Sequence, residues 1–131
     1  MPRLTPPYLL TRPITYSSTD LRIVDLRSSS LPAIENLSVL QDAVDSYDLT
    51  DNDIQRLEMP RLNRCEEILI SNNSLTSIAP NLAKNCPNLK TVTASRNSLT
   101  GLASLLPLLN LESLTYLDLT FNPCCTSKYY R

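Results

Sequence analysis

The sequence predicts an α/β solenoid, with a curved parallel β-sheet on the concave face and short helices or turns on the convex face. Three observations carry this. One pattern of apolar residues recurs five times, the copies follow one another at nearly constant spacing, and four of the five place an asparagine at the same point.

The clearest copy reads Cys65-x-x-Ile68-x-Ile70-x-x-Asn73-x-Leu75-x-x-Ile78. The same template finds Leu21, Val24, Leu26, Ser29, Leu31 and Ile34, then Val44, Tyr47, Leu49, Asn52, Ile54 and Leu57. It finds Leu89, Val92, Ala94, Asn97, Leu99 and Leu102, and finally Leu114, Leu117, Leu119 and Asn122. The first positions, 21, 44, 65, 89 and 114, differ by 23, 21, 24 and 25, inside the period of about 20–29 residues of leucine-rich repeats. The fold expected is a leucine-rich-repeat solenoid.

Each part of the template has a physical reason. Alternate residues of a short strand point to opposite faces, so Ile68 and Ile70 turn inward while Glu67, Leu69 and Ser71 face out. One repeat cannot bury its apolar side alone, but stacking joins the inward residues into one core, each contributing roughly 1.5–3 kcal/mol when fully buried. Asn52, Asn73, Asn97 and Asn122 stand where the strand turns back, and a carboxamide both donates to and accepts from backbone groups stranded there. These asparagines are read as structural, and Ser29 in the first repeat predicts a weaker rung.

A chain of 131 residues forms one domain, with residues 1–20 as an N-terminal cap ahead of the repeats. Twelve basic against 13 acidic residues give a formal charge of -1, too little for a global field that favours nucleic acid or membrane. Cys65 and Cys86 read as small core residues suited to a reducing compartment, and the adjacent Cys124 and Cys125 as free thiols. No stretch approaches the ~18 apolar residues of a membrane span, and the N-terminus lacks a signal-peptide core, so a soluble intracellular protein is expected. The sequons at Asn36 and Asn72 are then uninformative.

In chain order, Thr5-Pro6 predicts the start of a short helix that lays Tyr8, Leu9 and Leu10 over the first repeat, with Pro13 ending it. Leu37, Leu40, Leu62, Leu82, Leu89, Leu105, Leu106, Leu108, Leu109 and Leu111 in the connections are expected in the core. Short helices are predicted at 81–85 and 104–111. The template stops at Asn122, and residues 123–131 are too few for a full terminal cap, so the native chain is expected to continue past Arg131.

Enzymatic chemistry is not expected. There is no histidine for a triad, a single glycine where phosphate loops need several, and no metal-ligand cluster. Asp25, Asp48, Glu67 and Asp118 are expected in one open layer of the sheet. No cofactor and no small-molecule substrate are implied. The outward residues instead build a concave surface: Ile23, Asp25 and Arg27; Ser46, Asp48 and Thr50; Glu67, Leu69 and Ser71; Thr91, Thr93 and Ser95; Tyr116, Asp118 and Thr120. Five strands at about 4.8 Å span roughly 20 Å, room for a helix about 10–12 Å across. Its acidic band and apolar points at Ile23, Leu69 and Tyr116 favour a basic, apolar-striped partner over a merely solvated face. A lip of Ser28, Asp51, Asn72, Arg96 and Phe121 follows the strands. Arg22 and Arg27, with Arg3 and Arg12, make a small basic edge able to touch phosphates only as an accessory; scattered surface charge is the plainer reading.

VDLRSSSLPAIENL (24–37) and VDSYDLTDNDIQRL (44–57) resemble the first two repeats of the U2 small nuclear ribonucleoprotein A-prime family, and Asn122-Pro123 through Lys128, Tyr129, Tyr130 and Arg131 is similar to that family's tail segment. The resemblance runs from about Leu4 to the last residue. It rests on Leu26-Arg27, Ile34-Glu35-Asn36-Leu37, Asp51-Asn52 and the tail. It implies a nuclear splicing component whose concave sheet holds a helix of an RNA-recognition-motif protein of the B-double-prime type, the pair binding a U2 small nuclear RNA stem-loop. Arg27, with Arg22 beside it, is the RNA-contact candidate that this implies. Two other readings use the same frame: a regulatory adaptor of a protein phosphatase, and the repeat module of a larger enzyme.

Overall fold

Two consecutive prolines begin the first helix, because the N–H groups of a first helical turn have no partner within the helix. The computed structural model describes residues 4–16, 21–101 and 103–125, Cys125 without its side chain. Arg3, Leu102, the Cys125 side chain and the tail residues Lys128, Tyr129, Tyr130 and Arg131 therefore lie outside the described residues. In α1 (Pro6–Thr11) the Thr5 hydroxyl caps the helix by accepting from the Tyr8 N–H at 3.3 Å. Leu4 and Leu9 enter the core, but Leu10 turns outward and is exposed, contrary to expectation, since a helix this short buries one side only.

After α1 comes β1 (Ile14–Tyr16), a strand the sequence did not reveal. It pairs antiparallel with β2 (Arg22–Asp25), joining Ile14 to Val24 and Tyr16 to Arg22. All its residues are exposed, so no inward-outward alternation marked it.

The chain then winds through a 3₁₀ turn at Leu37–Leu40, β3 (Ser46–Asp48), β4 (Arg56–Leu57), β5 (Glu67–Leu69), β6 (Ser77–Ile78), α2 (Leu82–Asn85), β7 (Thr91–Thr93), a 3₁₀ helix at Ala103–Asn110, β8 (Tyr116–Asp118) and a 3₁₀ turn at Pro123–Cys125. The main sheet runs β1-β2-β3-β5-β7-β8, parallel from β2 onward. Its registers are in phase: Val24, Tyr47, Ile68, Val92 and Leu117 stand side by side. A second, two-stranded parallel ladder pairs β4 with β6, separate from the main sheet and too short to leave a sequence pattern.

The inward template residues form one buried cluster from Leu4 and Leu9 through Leu26, Leu49, Ile70 and Leu99 to Leu119. Cys65 and Cys86 lie fully buried within it, and the Cys65 thiol is pushed far above its ordinary value by its hydrogen bond with the Cys86 thiol and by burial. Three further leucines depart from the core expectation. Along Ala103–Asn110 the 3₁₀ spacing of three residues per turn puts Leu105, Leu108 and Leu111 on the core side and leaves Leu106 and Leu109 exposed. Leu117 is inward in register but 39% exposed, because β8 is the last strand of the sheet and is flanked by β7 on one side only.

The asparagine ladder is realised in full. Asn97 donates to the carbonyls of Ile70, Ala94 and Ser95 at 3.1, 3.0 and 3.1 Å and accepts from the Leu75 N–H at 3.0 Å. Asn52, Asn73 and Asn122 repeat this scheme, each reaching a carbonyl of the preceding repeat: Leu26, Leu49 and Ala94. The residue before each rung, Ser28, Asp51, Asn72, Arg96 and Phe121, has a left-handed backbone, with φ between 52° and 61°.

Candidate partner-binding face

The pairing registers place the outward side chains in rows across the sheet. Ile23, Ser46, Glu67, Thr91 and Tyr116 form the first row, and Asp25, Asp48, Leu69, Thr93 and Asp118 the second. Ser46, expected on the open surface, is fully buried, its hydroxyl bonded to the Glu67 carboxylate. Beyond them Arg27, Thr50, Ser71, Ser95 and Thr120 continue to the lip, where Ser28 N–H donates to Thr50, Asp51 to Ser71, Asn72 to Ser95 and Arg96 to Thr120 carbonyls. One expectation needs correcting. Glu67 does not share a layer with Asp25, Asp48 and Asp118, because it precedes the inward residue of its strand whereas the aspartates follow theirs.

The second-row aspartates also finish their strands. The Oδ1 atoms of Asp25, Asp48 and Asp118 accept the backbone N–H two residues on, from Arg27, Thr50 and Thr120, at 3.1, 3.2 and 3.0 Å. Such local capping by aspartate favours a turn. In the sequence these carboxylates show only as surface charge, and this role is not visible there.

Charge on the face is partly balanced. Arg27 grips Asp25 with Nε 3.1 Å from Oδ1 and a terminal nitrogen 3.2 Å from Oδ2, and lies 3.5 Å from Asp48. The hydrogen bond from Arg27 holds the Asp25 carboxyl below its ordinary value, against a smaller opposing effect of burial. Arg22 is 3.9 Å from Asp45, which also meets Arg64 at 3.2 Å. Arg22 and Arg27 of the basic edge thus face carboxylates of their own chain, with which a phosphate would compete, while Arg12 donates to the Asp25 carbonyl at 3.0 Å. Elsewhere, Ser46 donates to Glu67 at 2.6 Å and Ser95 to Ser71 at 3.0 Å. Four carboxylates, Asp25, Asp48, Glu67 and Asp118, stand against the guanidiniums of Arg27 and Arg12, both of which act on Asp25. Leu69 lies near the middle of the face, half-buried, and Tyr116 near its end, 56% exposed.

The residues predicted for the face on strands or just after them fall in register in one continuous array, with Ser46 buried within it. What sequence reasoning missed lies on the lip: Asn72 donates to Asp51 at 2.6 Å, and the Arg96 guanidinium stacks 4.7 Å from the centroid of the Phe121 ring. Their common position before the ladder asparagine was visible, but not that neighbours would pair along it. Among the described residues no cluster of three or more His, Cys, Asp or Glu is placed to hold a metal ion, and no helix is long and apolar enough to cross a membrane.

A parallel sheet of stacked repeats, an asparagine ladder and an open outward array define a leucine-rich-repeat protein. The leucine-rich-repeat family model matches residues 1–131. The U2 small nuclear ribonucleoprotein A' of Schizosaccharomyces pombe is 42% identical over 130 residues, covering 98% of this chain and 54% of that protein. The human protein of the same name is 40% identical over 111 residues, 84% of this chain and 44% of that one. A chain from the crystal structure of the Drosophila melanogaster SNF/U2A' complex aligns with a TM-score of 0.96 and 34% identity over 100% of this chain and 76% of that chain. The chain belongs to the U2 A-prime family of leucine-rich-repeat proteins. It spans about half the length of the curated relatives it matches.

Proposed function

We propose that this chain is a nuclear scaffold of the spliceosome. It holds an RNA-recognition-motif protein of the B-double-prime type on its concave face and supports that partner's binding to a U2 small nuclear RNA stem-loop, catalysing no reaction itself. The observation that carries this is the in-register outward array, acidic along two rows with Leu69 in its middle, which suits a basic helix with an apolar stripe. The Drosophila relative supports the reading, since it was crystallised in complex with SNF. Ile23, Asp25, Arg27, Asp48, Thr50, Glu67, Leu69, Ser71, Thr93, Ser95, Tyr116 and Asp118 are the proposed contacts, with Arg22 and Arg27 as accessory RNA contacts.

Affinity capture from nuclear extract tests this. Recovery of an RNA-recognition-motif protein together with U2 RNA is the expected result, whereas a phosphatase catalytic subunit as the main partner would replace this reading with the adaptor one. A mobility-shift titration of the stem-loop, with and without the partner, then reads the effect on RNA affinity.

A further inference from the structure

Phe121 occupies a position that ill suits it. The turn ahead of each ladder asparagine needs a left-handed backbone, which Asp51 and Asn72 tolerate through short polar side chains. Phenylalanine has no such means, yet Phe121 adopts a φ of 60° with its ring 68% exposed. Arg96, one repeat earlier at the same position, has a φ of 55° and lays its guanidinium over that ring. Among the described residues Arg96, like Arg12, Arg61 and Lys84, has no carboxylate partner, whereas Arg22, Arg27, Arg56, Arg64 and Lys90 each have one within 3.9 Å. Of the unpaired four, Arg96 alone stands in the row of residues that precede the ladder asparagines.

A guanidinium carries its donors in its own plane. Stacked on a ring, it keeps those donors free at the edge, already oriented for a two-oxygen acceptor, so less side-chain freedom is lost when one binds. The neighbouring face decides which acceptor fits. Its four carboxylates outnumber Arg27 and Arg12, which disfavours a polyanion lying along the hollow and favours a protein that sets cations over β2, β3, β5 and β8.

We propose that the Arg96–Phe121 pair is a seat for a carboxylate of the protein held in the hollow, an aspartate, a glutamate or a chain terminus. The inference rests on the concave-face reading above. It also orients the occupant: the acidic group lies at the lip past the ends of β7 and β8, and the basic residues lie over the second-row aspartates.

The test is calorimetric titration of Drosophila SNF protein into the wild type, Arg96→Gln, Phe121→Asn and Leu69→Glu. Arg96→Gln is expected to weaken binding about tenfold, as loss of a charge-assisted pair does, and to reduce the dependence of affinity on salt. Phe121→Asn should weaken it several-fold without lowering the melting temperature, since asparagine suits the turn. If Arg96→Gln stays within twofold of wild type while Leu69→Glu abolishes binding, the seat is refuted and the concave reading stands. Undiminished binding by Leu69→Glu removes the concave reading and the seat with it. If Arg96→Gln spares SNF affinity but weakens binding of the joint complex to the stem-loop RNA, the arginine meets phosphate and the carboxylate seat is refuted.

Discussion

The phenol of Tyr8 donates to the hydroxyl of Ser29 across 2.8 Å, tying the capping helix to the first rung of the ladder. Ser29 passes the bond on to the Arg27 carbonyl at 3.1 Å, and its N–H donates to Asn52 at 3.0 Å. A serine cannot reach as an asparagine does, so the cap supplies the missing partner. Tyr8→Phe should therefore lower stability by about 1 kcal/mol, read as a lower urea midpoint at unchanged slope. An unmoved midpoint would mean that this rung is held by its backbone alone.

The ladder predicts a larger loss. In Asn97→Leu the Leu75 N–H loses its partner inside an apolar stack, while the Ile70, Ala94 and Ser95 carbonyls each lose one of two donors and keep those of Asn73, Asn122 and the Asn72 N–H. At about 1–3 kcal/mol for a buried group left unpaired, with weakened bonds at the three carbonyls besides, the cost should be roughly 2–3 kcal/mol. Thermal denaturation checks it, and a melting temperature within a few degrees of wild type would refute the structural role.

Tyr47 gives the opposite sign. Its side chain is fully buried, its hydroxyl has no hydrogen-bond partner among the described residues, and burial pushes the phenol well above its ordinary value. Tyr47→Phe removes the orphan oxygen and should raise stability by about 1 kcal/mol. Destabilisation would show that the hydroxyl is satisfied after all.

The pairing of Arg27 with Asp25 has a pH signature. The folded Asp25 carboxyl lies below its ordinary 3.8, so the folded state binds fewer protons there than the unfolded one. Its contribution is complete above that ordinary value and fades as pH falls through the lowered one. Asp25→Asn should thus flatten the acid limb of the melting curve below about pH 4 and leave its slope unchanged above about pH 5. Parallel acid limbs for the two proteins would contradict the pairing. The effect should be small, because the pair is largely exposed.

Most of this architecture was legible because a stack repeats its own signal. Val24, Tyr47, Ile68 and Val92 show the inward register, and Asn52, Asn73, Asn97 and Asn122 mark each turn. Where the period lapses, legibility lapses too. The strand Ile14–Tyr16 has no buried residue to betray it, and the outward Leu106 and Leu109 follow a 3₁₀ spacing that leucine content alone does not reveal. On the outer face, alternation placed every residue but not its partners. Arg27 bridging Asp25 and Asp48, and Arg96 lying on Phe121, depend on side-chain reach between strands.

The central claim is that the hollow side of the sheet grips another protein, and Leu69 and Tyr116 are its apolar points. Leu69→Glu and Tyr116→Glu change outward side chains, so far-ultraviolet circular dichroism should match wild type. The decisive measurement is the dissociation constant of each variant for SNF protein against that of the wild type. The account predicts at least a hundredfold loss for Leu69→Glu, about 2.7 kcal/mol; a constant equal to wild type, on a folded variant, would contradict it.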